Sequence, residues 1–141
     1  MSDTAHDDWN ASVISEFRAN GGKVGGSLEG SDLLLLHHNG AKTGTERINP
    51  LAYQKVGNGY AVFASFGGHP RDPQWFRNLL ANPDATVEIG TDTVRVRARV
   101  ADPEERETIW ARQKATRPIF AGYEVKANPR QIPVVVLEPV A

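Results

Sequence analysis

The chain has 141 residues, a length that fits one domain, and its lack of cysteine excludes disulfides, thiolate metal sites and thiol catalysis. Its 16 Lys and Arg residues against 17 Asp and Glu residues give a formal charge of -1, which argues against a general nucleic-acid binder. The polar, acidic start lacks the pattern of a signal peptide, and no apolar run approaches the roughly 20 residues of a membrane span, so we predict a cytoplasmic protein.

The first predicted element is a helix over residues 9–20, which follows a disordered tail at residues 1–8. Asp7 can cap the start of this helix. One face of the helix is apolar and comprises Trp9, Val13, Ile14 and Phe17. Four glycines within residues 21–26 end the helix and connect it to the rest of the chain as a hinge.

The remaining chain is predicted to form about six short strands and three further helices. Apolar and alternating runs predict strands at residues 32–38, 47–56, 60–66, 86–89, 93–101 and 133–138. Helical patterns occupy residues 73–81, 103–116 and 118–126. Turn sequences such as Asn39-Gly40 make most strand connections hairpins, which implies antiparallel pairing. The expected fold is therefore mainly β with peripheral helices, either a barrel or a sandwich.

Three segments combine glycines, polar residues and aromatic residues in patterns typical of a ligand site. The first, residues 33–51, contains Lys42-Thr43-Gly44 followed by Arg47. The second spans residues 64–83 and the third residues 120–133. Taken in order, over residues 9–139, these segments resemble the deazaflavin-dependent nitroreductase family of actinobacteria. The resemblance implies a single antiparallel split β-barrel domain over residues 9–141, of the kind that also binds flavin mononucleotide.

The same resemblance implies coenzyme F420 as the cofactor and hydride transfer from its deazaflavin C5 to a nitro, quinone or other conjugated acceptor. The implied cofactor-binding residues are Lys42, Thr43, Arg47, Ile48, Asn49, Pro50, Ala64, Ser65, Phe66, Gly67, Trp75 and Asn78. Two cations at a glycine-containing turn can hold a phosphate or a carboxylate, although such a turn can also be a plain solvated hairpin tip. A helical Trp such as Trp75 is also commonly part of the core. Phe66 departs from the family pattern, where many relatives carry Lys.

Two residues are implied to act on the acceptor. A Ser65 hydroxyl can stabilise a developing anion, and Tyr123 can supply a proton or a hydrogen bond. The implied substrate pocket is lined by Trp9, Phe17, Phe120 and Tyr123. Phe120 stands where relatives carry Tyr, so one hydroxyl is missing. The N-terminal helix is expected to be a lid over this pocket, with permanent packing or contact with a quinone-bearing membrane as the alternatives.

Metal binding is not expected from this sequence. His37 and His38 are neighbours in a strand, so their side chains point to opposite faces, and the other histidines lack partners at ligand spacing. Two alternative functions remain open: a flavin-mononucleotide-dependent reductase on the same barrel, and a deazaflavin-binding protein without catalysis. The resemblance also implies a homodimer, with a small-molecule hydride acceptor as the other partner.

Overall fold

A computed structural model of the chain describes residues 2–23 and 32–140. Its helices are α1 (Ser2–Ala19), α2 (Gln74–Ala81), α3 (Pro103–Thr116) and α4 (Ile119–Ala127). Its strands are β1 (Leu33–Asn39), β2 (Glu46–Val56), β3 (Gly59–Phe63), β4 (Asp84–Ile89), β5 (Asp92–Val100) and β6 (Val134–Pro139). A short 3-10 turn, Phe66–Gly68, lies between β3 and α2.

The six strands close into a barrel in the order β1-β2-β3-β6-β5-β4, with β4 paired back to β1. Every neighbouring pair is antiparallel. Hairpins connect β1 to β2, β2 to β3 and β4 to β5, whereas β6 returns from α4 to lie between β3 and β5. This architecture confirms the predicted mainly β, antiparallel barrel with peripheral helices.

The alternation of side chains along β1 divides the molecule into an interior and an outer layer. Leu34 and Leu36 lie in the barrel interior, in one cluster with Trp75 and Leu79 of α2. Leu33 and Leu35 face outward and are covered by Phe17 of α1. Because both faces of β1 are covered, its sequence is a continuous apolar run rather than an alternating one.

Helices α3 and α4 cover the outer face of β3 and β6. Trp110, only 1% exposed, lies there against Phe63 and Phe120, with ring centroids 5.8 and 6.1 Å away. The indole Nε1 of Trp110 donates a hydrogen bond of 2.5 Å to the Glu124 carboxylate on α4. This packing and the polar link hold the two helices on the barrel as one layer.

Two element boundaries differ by more than two residues from the sequence-based expectation. Helix α1 begins at Ser2 and not at residue 9, so the segment expected as a tail at residues 1–8 is helical from Ser2 onward; acidic residues near a helix start interact favourably with the helix dipole. Strand β3 ends at Phe63 because the 3-10 turn begins at Phe66. The later glycines of the expected hinge, within residues 24–31, lie outside the described residues. Among the described helices, none is both long and apolar enough to cross a membrane.

Candidate functional site

The turn between β1 and β2 is folded by its own main chain and exposes its charged side chains. The Gly40 amide donates to the Thr45 carbonyl at 2.9 Å, and the Gly44 amide donates to the Gly40 carbonyl at 2.9 Å. Gly44 has φ +71, a conformation that suits glycine. Lys42 and Arg47 are exposed and form no ion pair with the residues that the structure describes. A compact turn with two uncompensated cations is suited to binding an anion.

Asn78 of α2 attaches this turn to the helix. Its Oδ1 accepts hydrogen bonds from the Ala41 backbone amide at 3.1 Å and from Gln74 Nε2 at 3.0 Å. The side chain is fully buried, at 0% exposure. The structure therefore brings together the cationic turn and the Trp-bearing helix, two elements that both carry residues implied to bind the cofactor. The expected direct contact of Asn78 with a cofactor stays a prediction, since its described partners are the protein's own groups.

A directed hydrogen-bond chain continues from Asn78 into the barrel. The Ala41 amide can only donate, so it fixes Asn78 Oδ1 as the acceptor and turns Nδ2 toward His38 Nδ1, 3.0 Å away. His38 Nδ1 must then accept, and its Nε2–H donates to Asn49 Oδ1 at 2.7 Å. Burial lowers the pKa of His38, opposed by the hydrogen bond to Asn49. His38 is therefore a neutral imidazole whose tautomer is set by the amides on either side.

The β2 residues expected beside the cofactor divide between the two faces of the strand. Asn49 lies opposite Leu36 and shares its interior face, whereas Ile48 packs outward beside the Phe17 cluster under α1. Pro50 lies opposite Leu35. Among the described strands this part of β2 pairs with β1 alone, because pairing with β3 begins at Tyr53. The missing N–H of Pro50 therefore removes no hydrogen bond to β3.

Trp75 of α2 lies in the barrel core. Its side chain is 5% exposed, and its ring meets Phe76 edge-on with centroids 6.4 Å apart. This packing follows from the amphipathic pattern of α2, whose buried residues are Trp75, Phe76, Asn78 and Leu79. Trp75 therefore anchors α2 in the barrel, and its contact with a cofactor stays a prediction.

The segment after β3 places Ser65 and Phe66 next to each other at the 3-10 turn. Ala64 is buried in the barrel interior cluster and Ser65 is 9% exposed. The Ser65 side chain makes no capping hydrogen bond to the turn that follows it. Phe66 has φ +48, a conformation that is rare for bulky residues. Its side chain is 46% exposed and stacks on the His69 ring at 4.7 Å.

Tyr123 of α4 lies next to this segment. Gly68, at φ +83, is so close to α4 that an added Cβ would lie 2.9 Å from the Tyr123 carbonyl oxygen. The two implied catalytic residues, Ser65 and Tyr123, are thus on elements in direct contact. Tyr123 is half-buried, with its ring edge-on to Phe120 at 5.3 Å between centroids.

Phe17 and Phe120, two other residues of the expected substrate pocket, belong to different apolar clusters. Phe120 is 7% exposed and packs into the α3–α4 layer. Phe17 is 1% exposed and packs on the outer face of β1. Both positions follow from the apolar faces of their helices, which the barrel covers. The side chain of Trp9 lies outside the described residues.

Two residues of this region were missed by the sequence analysis. His38 could have been identified as an interior residue, because strand alternation places it on the same face as Leu34 and Leu36. Arg130, to which no role was assigned, donates to the main chain of the segment after β3. No local sequence pattern predicts that contact, since its partners lie more than 60 residues away along the chain. Over residues 2–23 and 32–140, no cluster of three metal-ligating side chains is found.

Comparison with known proteins gives a consistent result. The F420H(2)-dependent quinone reductase family model matches residues 9–139. An F420H(2)-dependent quinone reductase of Mycobacterium tuberculosis is 36% identical over 127 residues, covering 86% of this chain and 83% of that protein. A solved F420-H2 dependent reductase, FDR-A, superposes with a TM-score of 0.69 at 36% identity and covers 76% of this chain and 94% of its own. A structure described as a domain-swapped dimer has a TM-score of 0.70 at 32% identity and covers 97% of this chain and 98% of its own.

Proposed function

Because the chain belongs to the F420H(2)-dependent quinone reductase family, we propose that it is an oxidoreductase that uses coenzyme F420 to reduce a quinone, nitro or other conjugated organic acceptor. The observation that carries this proposal is the β1–β2 turn, whose exposed Lys42 and Arg47 have no ion pair within the described residues and whose main chain is tied to α2 by Asn78. The family membership indicates the chemistry, and the turn supplies a place for the anionic part of the cofactor.

The residues around this turn fit the chemistry of F420, which joins a planar deazaflavin ring to a phosphate and a carboxylate-bearing tail. Lys42 and Arg47 are donors suited to phosphate and carboxylate oxygens. The amides of Lys42 and Thr43 donate to none of the described residues, so they are available to an anion as well. The polar and cationic character of this turn matches the tail, while the aromatic and glycine-rich segment after β3 matches a flat ring.

The reaction that we propose assigns a distinct role to each part of the site. Bound F420, when reduced, supplies a hydride from its C5. Lys42 and Arg47 bind the anionic tail, and Asn78 keeps their turn in place through Ala41. The Ser65 hydroxyl, which is not used to cap the turn, donates a hydrogen bond to an acceptor oxygen that gains negative charge. Tyr123 supplies a second hydrogen bond or a proton.

The test is a binding titration with a charge-matched control. Lys42→Ala combined with Arg47→Ala is compared with Arg95→Ala combined with Arg112→Ala, which removes two exposed cations elsewhere. We expect the first pair to weaken F420 binding at least tenfold, or about 1.4 kcal/mol, and the second pair to leave it unchanged. Equal affinity of the two double variants would contradict the assignment of the turn.

The same titration separates the alternative functions. Binding of flavin mononucleotide in preference to F420 would favour a flavin-dependent reductase. Tight F420 binding without turnover of menadione or a nitroaromatic compound would favour a carrier protein. Hydride transfer to either acceptor at a rate that depends on F420H2 supports the reductase.

We also propose that the chain forms a homodimer. The support is the structural relative described as a domain-swapped dimer, which this chain matches over 97% of its length. Sedimentation at micromolar concentration should give twice the 15.4 kDa mass of the chain. A monomer under these conditions would contradict the proposal without affecting the assignment of the cofactor.

A further inference from the structure

Arg130 uses its whole guanidinium group to hold the segment after β3. Its Nε and Nη2 donate to the His69 carbonyl at 3.0 and 2.8 Å. Nη2 also donates to the Ser65 carbonyl at 2.9 Å, and Nη1 donates to the Ala64 carbonyl at 2.9 Å. The last Nη1 hydrogen bond, 2.8 Å long, goes to the Asp72 carboxylate. Since arginine has five N–H donors, all of them are engaged.

These contacts surround a backbone conformation that the local sequence does not favour. Phe66 has φ +48, in the left-handed region that bulky L residues rarely adopt. The carbonyls that Arg130 binds lie on both sides of Phe66. On the other side of the turn, Gly68 lies directly against α4. A conformation of this kind persists only where the surrounding structure enforces it, and such positions are concentrated at ligand sites.

The enforced conformation exposes an aromatic side chain instead of burying it. Phe66 is 46% exposed although the chain has a packed interior, and its ring lies over His69 at 4.7 Å with an interplanar angle of 28°. Burial of a phenylalanine side chain would gain free energy, so its exposure beside Ser65 calls for an explanation. A flat, supported aromatic face is suited to stacking against a planar conjugated ring.

We propose that Arg130 is a positioning residue, whose guanidinium holds residues 64–69 so that the Phe66–His69 pair presents an aromatic face to the planar ring of a redox ligand. This inference rests on the proposed function and extends it, because it identifies residues that recognise the ring in addition to the cationic turn that recognises the tail. Lysine cannot replace Arg130, because a single ammonium cannot reach three carbonyls and a carboxylate in this arrangement.

The experiment measures F420 affinity by absorbance titration in the full chain, with menadione KM and kcat as a second measurement. If the Phe66–His69 pair stacks on the cofactor ring, Arg130→Lys and Phe66→Ala should each weaken F420 binding about tenfold. If it stacks on the ring of the acceptor instead, each variant should raise the menadione KM about tenfold at unchanged kcat. The matched control is Asp72→Asn, which leaves all four main-chain hydrogen bonds of Arg130 in place and should change affinity less than about threefold.

A comparison of Phe66→Gly with Phe66→Ala isolates the role of Arg130. Both variants lack the ring, but only glycine adopts the left-handed conformation freely. The two should bind F420 equally when Arg130 is present, and glycine should bind several-fold more tightly than alanine in the Arg130→Lys background. The absence of that difference would overturn the positioning role.

The outcomes distinguish this inference from the proposed function. Wild-type protein that binds neither F420 nor flavin mononucleotide overturns the proposed function and this role with it. Wild-type binding, together with unchanged affinity and unchanged menadione KM in Phe66→Ala and Arg130→Lys, overturns this role alone. If Arg130→Lys does not fold, the test rests on Phe66→Ala, which leaves the guanidinium contacts intact. Wild-type F420 affinity and wild-type menadione KM in Phe66→Ala would then overturn the proposal.

Discussion

Replacing Asn78 with aspartate should reverse the pH dependence that His38 gives to the stability of the fold. Aspartate keeps an Oδ1 that can accept from Ala41 and Gln74, but it replaces the Nδ2 donor with a second oxygen. That oxygen would face His38 Nδ1, which accepts a hydrogen bond in the wild-type protein. The variant must therefore place two acceptors in contact, protonate His38, or shift the His38 proton to Nδ1 and turn the Asn49 amide so that it donates to Nε2.

The sign of the effect follows from the position of the folded-state pKa. In the wild type, burial lowers the pKa of His38 below its usual 6.5, so the unfolded chain takes up a proton that the folded chain does not. Stability is therefore lost as the pH falls from about 6.5 toward the folded pKa. In Asn78→Asp the carboxylate raises the pKa of His38, so the stabilising ion pair is present below about 6.5 and is lost as the pH rises through the new value.

The magnitude can be estimated from the hydrogen bonds of Asn78. Asn78→Ala removes all three, but Ala41 and Gln74 are exposed and can bind water instead. Only the buried Nδ1 of His38 loses its partner outright, which costs about 1–3 kcal/mol. Adding about 0.5 kcal/mol for each of the other two, the low end of the range because their partners are exposed, gives about 2–4 kcal/mol. Asn78→Asp keeps the hydrogen bonds from Ala41 and Gln74, so at pH 8 it should lose about 1–3 kcal/mol at the His38 contact, and it should recover about 1.4 kcal/mol for each unit by which the pKa of His38 rises.

Urea unfolding followed by the fluorescence of the three tryptophans measures these differences at pH 5.5 and pH 8. The control is Asn78→Asp combined with His38→Gln, which removes the imidazole next to position 78, so the pH dependence that Asn78→Asp introduces should disappear. Parallel pH profiles for wild type and Asn78→Asp would refute the donor–acceptor assignment along the chain from Ala41 to Asn49.

Three further predictions concern the outer layer. Hydrogen bonds to Arg18, opposed by partial burial, lower the pKa of Glu88 in the folded protein. The ionised Glu88 therefore stabilises the fold above pH 4.5, and this contribution is lost as the pH falls through the folded-state pKa. Glu88→Gln should accordingly flatten the acid side of a profile of melting temperature against pH. Phe17→Ala should cost ~3 kcal/mol or more in urea unfolding if α1 is packed permanently, and a change below 1 kcal/mol would instead favour a lid that detaches readily. Trp110→Phe keeps an aromatic ring but loses part of the buried packing and the indole hydrogen bond to α4. It should cost at least about 1.5 kcal/mol, because the acceptor of that hydrogen bond is a carboxylate; an unchanged denaturation midpoint would contradict this.

The strand pattern was predictable because most pairings in this barrel are local. Hairpins join β1 to β2, β2 to β3 and β4 to β5, and each carries turn residues at its tip that the sequence makes visible. The helix starting near Pro103 was equally clear, and the Asp102 side chain caps it by accepting from the Glu105 amide at 2.9 Å. Closure between β1 and β4 follows from the resemblance, since single-strand patterns do not determine which distant strands pair.

The candidate site was predictable in its cationic turn and much less so after β3. Lys42 and Arg47 follow a glycine-rich turn, and the signal is contained in a few consecutive residues. The conformation of Phe66 depends instead on Arg130, 64 positions later, and on close packing against α4. Likewise, the burial of Trp75 and Phe120 depends on which helix face the barrel covers, and a pattern of aromatic residues alone does not separate a ligand contact from a core contact.

The position of β6 between β3 and β5 has a consequence for how the chain reaches its native state. During synthesis this strand follows the other five, and its two neighbours cannot be joined without it. Until it docks, the outer edges of β3 and β5 carry unpaired main-chain groups, which are templates for association with other chains. A nascent or truncated chain that ends before Val134 would thus keep an open sheet with two aggregation-prone edges. The six residues of β6 pair with both edges and close the barrel.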